Sequence, residues 1–177
     1  MNIKETYLII LCGQAFSGKS TLSKKLSEFY NAKIIGRDAV YFTLEELLAF
    51  ENTPDEDDPS LWKNLWPIAI QGIKNQLLTG TSVIFDDTCL FFSQREELRI
   101  IAEQAGIKSV LVYLDIPVEI RKERKEENKI TKHRHDVPSG WLDNDEKKFE
   151  RPTDIENPII YKNEEDFGEI IEKVNNL

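Results

Sequence analysis

The residues Thr6 to Cys12 (TYLIILC) form an apolar, β-rich run of the length of one strand buried on both faces, as in the interior of a parallel sheet. Past a glycine-bearing loop the period changes. Leu22, Leu26 and Phe29 recur at i, i+4 and i+7, with Lys24, Lys25 and Glu28 on the other side, which predicts an amphipathic helix. Short apolar runs return at Ala32 to Gly36 (AKIIG), Ser82 to Phe85 (SVIF), Ile107 to Asp115 (IKSVLVYLD) and Asn157 to Tyr161 (NPIIY), and predict four further strands. Between them the spacing is helical. Trp62, Leu65, Trp66, Ala69, Ile73 and Leu77 mark a helix over Leu61 to Leu78, with Pro67 expected to kink it or start it afresh. Leu98, Ile101, Ala102 and Ala105 give the buried face of the next helix and leave Arg95 and Arg99 to solvent. Pro117 suits the first residue of a further helix, Gly140 to Glu150 reads as a short one, and Ile170, Ile171, Val174 and Leu177 as a terminal one. Strands alternating with helices indicate an α/β fold around a parallel sheet.

The chain has 177 residues, the size of a single domain (1–177) with a substantial core. Its longest apolar runs are too short for a spanning helix, and MNIKET lacks the apolar stretch of a secretory signal. Cys12 and Cys89 make neither a disulfide framework nor a metal spacing, so both are expected as reduced thiols of a cytoplasmic protein without membrane contact. A formal net charge of −9 disfavours a nucleic-acid partner, although small anions remain allowed at a local site. Monomer and homodimer are both open.

Between the first strand and the first helix, Gly13-Gln14-Ala15-Phe16-Ser17-Gly18-Lys19-Ser20 fits the phosphate-loop pattern G-x-x-x-x-G-K-[ST] at every fixed position, and Thr21 follows it. Gly13 and Gly18 allow conformations in which successive N–H groups point inward as an anion nest at a helix N-terminus. A nucleoside triphosphate, ATP with Mg²⁺, is the expected ligand. Lys19 should reach the β- and γ-phosphates, and the Ser20 hydroxyl should ligate the metal.

Other chemistry falls at the carboxyl ends of the predicted strands, where open α/β sheets bind ligands. Asp38, just past the second strand, is placed to face the γ-phosphate or to cap a helix, and Arg37 beside it is a weaker candidate for a phosphate contact. The third strand ends in Asp86-Asp87: Asp86 is assigned to the metal, through its water shell, and Asp87 to an acceptor or arginine contact, with Asp87 as the second choice for the metal. Leu44 to Ser60 carries seven acidic residues and no basic one, within a stretch of about residues 42–79 that suits an acceptor lobe. Between Glu119 and His135 the balance reverses, with Arg121, Lys122, Arg124, Lys125, Lys129, Lys132 and Arg134, which suggests a lid over about 121–150 closing on a triphosphate. His133 and His135 have no further ligand at metal spacing.

The loop GQAFSGKST, Asp38, SVIFDDT before an arginine-bearing helix, DIPVEIRKER and the FERP segment together resemble the P-loop kinase family that includes polynucleotide 5′-hydroxyl kinases, zeta toxins and chloramphenicol phosphotransferase. The resemblance implies a P-loop NTPase fold, a five-stranded parallel sheet of order 2-3-1-4-5 flanked by helices, with a lid. It also implies ATP-dependent phosphorylation of a small-molecule hydroxyl, with Lys19 and Arg124 on the phosphates, Arg121 beside them, and Asp38 as the general base. A polynucleotide 5′-hydroxyl kinase and a nucleotide-dependent switch are the competing readings. Tyr41 stands where polynucleotide kinases of the family have an arginine, three residues after the Asp, which argues against a nucleic-acid acceptor. Ala15-Phe16 replaces the usual Pro-Gly and predicts a different left-handed geometry in the loop. Cys89 replaces an asparagine often seen after Asp-Thr or Ala-Thr.

Overall fold

A computed structural model of the chain describes residues 5–47, 59–131, 146–162 and 166–176. Most of the acidic stretch, Lys132 to His135, the start of the short helix from Gly140, and Leu177 lie outside the described residues. The elements run β1 (Tyr7–Cys12), α1 (Lys19–Tyr30), β2 (Lys33–Ile35), α2 (Arg37–Leu47), α3 (Pro59–Leu78), β3 (Val83–Asp86), α4 (Phe92–Gln104), β4 (Lys108–Leu114), α5 (Val118–Thr131), a 3-10 turn (Asp154–Glu156), β5 (Ile159–Tyr161) and α6 (Phe167–Asn175). All strand pairs are parallel, in the order β2-β3-β1-β4-β5. β1 lies at the centre, with Ile9 opposite Ile84 on one side and Val110 on the other.

Every residue of β1 is buried, because helices cover both faces of the sheet. Alternate side chains feed separate cores. Ile9 and Leu11 join Leu22 and Leu26 of α1, Val112 of β4, and Ile170 and Val174 of α6. Leu8, Ile10 and Cys12 join Ala69 and Ile73 of α3, Phe85 of β3, and Leu98 and Ala102 of α4. A smaller cluster of Tyr41, Leu61 and Leu65 closes the gap between α2 and α3. No helix among the described residues is long and apolar enough to cross a membrane.

Four local expectations need correction. α3 runs unbroken through Pro67, since Trp66 on Phe85 and the buried Leu65 and Ala69 hold the turns on either side of the missing N–H bond. Phe29 is more than half exposed, and α1 buries Tyr30 instead at the end of its stripe. Ala105 is the exposed C-cap of α4 rather than part of its buried face. Arg95 is 3% exposed: its guanidinium is paired in the interior, so it does not face solvent, whereas Arg99 does, between Glu96 and Glu103.

Candidate active site

The phosphate loop links the end of β1 to α1, and Gly13 N–H donates to the Thr88 carbonyl at 3.2 Å, which ties the loop to the end of β3. Gly18 is the N-cap of α1 with φ 98°, a left-handed conformation that L side chains rarely adopt. Phe16 is left-handed too, at φ 64°, although the residue is not glycine and is 3% exposed. The replacement of Pro-Gly by Ala15-Phe16 therefore leaves a left-handed turn in the loop, now carried by a bulky residue. Lys19 is nearly buried and its ammonium donates to the carbonyls of Gly13 (2.7 Å) and Gln14 (2.9 Å), so it arches back over the loop.

A second cation reaches the loop from α5. Arg124 Nη1 donates to the carbonyls of Phe16 (3.2 Å) and Ser17 (3.1 Å) across more than 100 residues of sequence. Arg121, one turn earlier, is buried and points elsewhere, with Nε on the Ile116 carbonyl (3.2 Å) and Nη2 on Glu146 (2.8 Å). Of the two arginines expected near phosphate, the structure brings Arg124 to the loop and gives Arg121 to the joint between α5 and residue 146. Lys132 and Arg134 fall outside the described residues.

The two adjacent carboxylates after β3 point in opposite senses, as strand alternation requires. Asp86 Oδ2 accepts from Ser23 Oγ at 2.9 Å, and Ser23 also donates to the Ser20 carbonyl, so this carboxylate lies against the first turns of α1 beside Ser20. Asp87 is buried and takes a two-pronged bond from Arg37, Nε at 2.6 Å and Nη2 on the other oxygen. Burial alone would raise the Asp87 carboxyl, but the Arg37 guanidinium more than reverses this and holds it below the usual range. Arg37 opens α2 and Asp38 follows it in the first turn, on the exposed side. Just before them, a Cβ on Gly36 would sit 2.1 Å from the Asp86 carbonyl oxygen, a contact only glycine permits.

The segment returning after residue 146 packs at the carboxyl end of β4. Phe149 packs on Tyr113, and the Arg151 guanidinium lies 5.5 Å from the Tyr113 ring centre while pairing with Asp115. Glu150 accepts the Phe92 N–H, and Glu156 takes a two-pronged bond from Arg95, which also donates to the Cys89 carbonyl. Sequence reasoning missed the Arg95–Glu156 pair and the Tyr113–Arg151 stack. Partners 61 and 38 residues apart leave no periodic trace.

The loop fits a phosphate ligand. Ser17 Oγ is buried with no hydrogen-bond partner in the structure, in a loop that leads into Lys19 and the N-terminus of α1 and is reached from α5 by Arg124. The donor set near Ser20 and Asp86 suits Mg²⁺, which takes one or two carboxylates plus substrate phosphates rather than a closed protein cage. No group of three His, Cys, Asp or Glu able to hold a metal occurs among the described residues.

A family model described as an AAA domain matches residues 8–152. The L-seryl-tRNA(Sec) kinase of Methanococcus maripaludis is 29% identical over 150 residues, which cover 82% of this chain and 53% of that protein. The protein KTI12 homolog of Arabidopsis thaliana is 34% identical over 116 residues, 62% of this chain and 36% of that protein. The chain thus spans about a third to a half of the length of the curated relatives it matches. Among solved structures, Chaetomium thermophilum Kti12 in complex with ADP-AlF3 superposes with a TM-score of 0.74 at 16% identity, covering 96% of this chain and 97% of that one. With the loop, the sheet order and a family match over most of its length, the chain belongs to the AAA domain family of P-loop kinases.

Proposed function

We propose that this protein is an ATP-dependent phosphotransferase that moves the γ-phosphate to a hydroxyl of a small molecule. The observation that supports the reading is Arg124, an α5 cation whose guanidinium donates to two carbonyls of a complete phosphate loop. In this scheme residues 13–21 bind the phosphates, and residues 121–150 form the lid. Lys19 and Arg124 exchange their loop carbonyls for phosphate oxygens, where charge develops in the transition state. Asp38 orients the acceptor hydroxyl and takes its proton as the oxygen bonds to the γ-phosphorus; the bond to the β-bridging oxygen breaks and its electron pair leaves with ADP. Ser20, and Asp86 through water, would hold Mg²⁺, which would supply charge neutralisation on the phosphates. Residues 42–79 serve as the acceptor lobe, in a cytoplasmic protein.

A second reading, a hydroxyl carried on RNA, is favoured by the similarity to a kinase named for L-seryl-tRNA(Sec). The net charge of −9 and the buried Tyr41 weigh against it. ADP release from Mg·ATP, measured with pooled nucleosides, sugars, aminoglycosides, a 5′-hydroxyl oligonucleotide and aminoacylated tRNA, separates the two. Stimulation by a small-molecule pool, lost in Lys19→Ala, supports the first reading; stimulation by RNA alone overturns it, and silence from every pool favours a nucleotide-dependent switch.

A further inference from the structure

Behind the proposed base lies an ion pair that the scheme above does not use. Asp87 is 7% exposed, receives Nε and Nη2 of Arg37 on its two oxygens, and is steadied by Thr88 Oγ1 at 3.2 Å. Arg37 is fixed from its other side, with its guanidinium carbon 5.6 Å from the Trp66 ring centre, and the Trp66 indole N–H donates to Glu97 at 2.8 Å. Three consecutive residues thus have distinct surroundings. Gly36 is pressed on the Asp86 backbone, Arg37 is clamped to the Asp87 carboxylate, and Asp38 is presented at the carboxyl edge of the sheet.

We propose that the Arg37–Asp87 pair is a positioning device that sets the first turn of α2, and through it the Asp38 carboxylate, against the phosphate loop. It rests on the reading of Asp38 as the base. A two-pronged guanidinium–carboxylate bond fixes direction as well as distance, which an ammonium cannot do. Misplacing a reacting group by about 1 Å costs on the order of 10²-fold in rate.

The test compares Asp87→Asn, Arg37→Lys, Asp38→Asn and Asp38→Asn/Asp87→Asn in the full chain. ADP release from Mg·ATP is followed with water as acceptor and with any stimulating pool. Affinity for a fluorescent ADP analogue, thermal midpoint and amide hydrogen exchange over residues 38–41 complete the set. Positioning predicts that Asp87→Asn and Arg37→Lys slow ADP release roughly tenfold or more while nucleotide affinity stays within about twofold, and that exchange quickens at 38–41. In the Asp38→Asn background, Asp87→Asn should cost nothing further, because residues acting as a unit are not additive. A full repeat of the Asp87→Asn loss in that background, a parallel loss of nucleotide affinity, or unchanged exchange at 38–41 overturns the proposal alone. Turnover by Asp38→Asn at the wild-type rate, or a wild type silent with water and every pool, overturns the base reading and the positioning role with it. Should Asp87→Asn fail to fold, Arg37→Lys, which keeps the charge, carries the same comparison alone and with Asp38→Asn.

Discussion

Replacing Phe16 by glycine sets two effects against each other in the phosphate loop. At φ 64° a bulky residue stores roughly 1–2 kcal/mol of backbone strain, which glycine releases. Glycine gives back about 0.5–1 kcal/mol of that through the freedom it adds to the unfolded chain. The ring, on a residue 3% exposed, is worth more: removing a buried phenylalanine costs about 3–5 kcal/mol. The balance is a net loss of about 2–4 kcal/mol. In a domain of this size each kcal/mol moves the thermal midpoint by roughly 2–4 °C, so Phe16→Gly should melt roughly 5–15 °C below the wild type. Phe16→Ala isolates the strain, since it loses the ring but keeps the left-handed Cβ, and should melt lower still by about 1 kcal/mol equivalent. Scanning calorimetry of the three proteins without nucleotide reads both differences. An unchanged or raised midpoint for Phe16→Gly would refute the weight given to the ring, and Phe16→Ala at or above Phe16→Gly would refute the strain.

Gly36→Ala drives a Cβ into the Asp86 carbonyl, so it should destabilise by roughly 2–4 kcal/mol in urea unfolding; a loss under about 0.5 kcal/mol would mean that β2 and β3 shift freely there. Asp87 has its folded pKa below its unfolded one, so its contribution is present above about pH 4 and is lost as pH falls through and below that value. Urea midpoints between pH 3 and 6 should therefore fall less steeply on acidification in Asp87→Asn, and equal slopes would count against the pair. Burial pushes the Cys12 thiol up to about 12 and Cys89 well above its ordinary value, so a thiol reagent at about pH 8 should leave the folded protein unmodified and label both cysteines on unfolding. ATP at about 100 times its dissociation constant should add about 2.7 kcal/mol of stability, read as a raised midpoint that Lys19→Ala abolishes.

The parallel sheet was legible because each strand is a compact apolar run and the central one is buried on both faces, which removes any polar alternation. The phosphate loop was legible because its pattern, the strand before it and the helix after it are all local in sequence. What failed locally failed by tertiary override. Pro67 reads as a break only if its turn must stand alone, and here Leu65 and Ala69 in two different clusters hold the helix across it. Arg95 reads as solvated because its partner Glu156 lies 61 residues further on, where spacing carries no information about contact. The division between Asp86 and Asp87 was legible in part, since alternation lets only one of two adjacent carboxylates point to a given side, but that Asp86 meets Ser23 of α1 and Asp87 meets Arg37 needed the fold.

Tyr41 bears on the acceptor more than its own side chain suggests. Positions 37 and 41 are four apart on α2 and share a face. Tyr41 is 5% exposed among Leu61, Leu65 and the Trp62 ring, so an arginine there would be buried in an apolar cluster at a cost of several kcal/mol. The face keeps one cation, Arg37, and both prongs of its fork are spent on Asp87. No other basic residue occurs in α2. A phosphate beside the accepting hydroxyl would find no uncommitted cation on this face, which supports an acceptor whose hydroxyl is not flanked by phosphate. It also yields a sharp contrast: Arg37→Lys should slow transfer without weakening acceptor binding, whereas an arginine that held an acceptor phosphate would raise the acceptor KM when shortened to lysine.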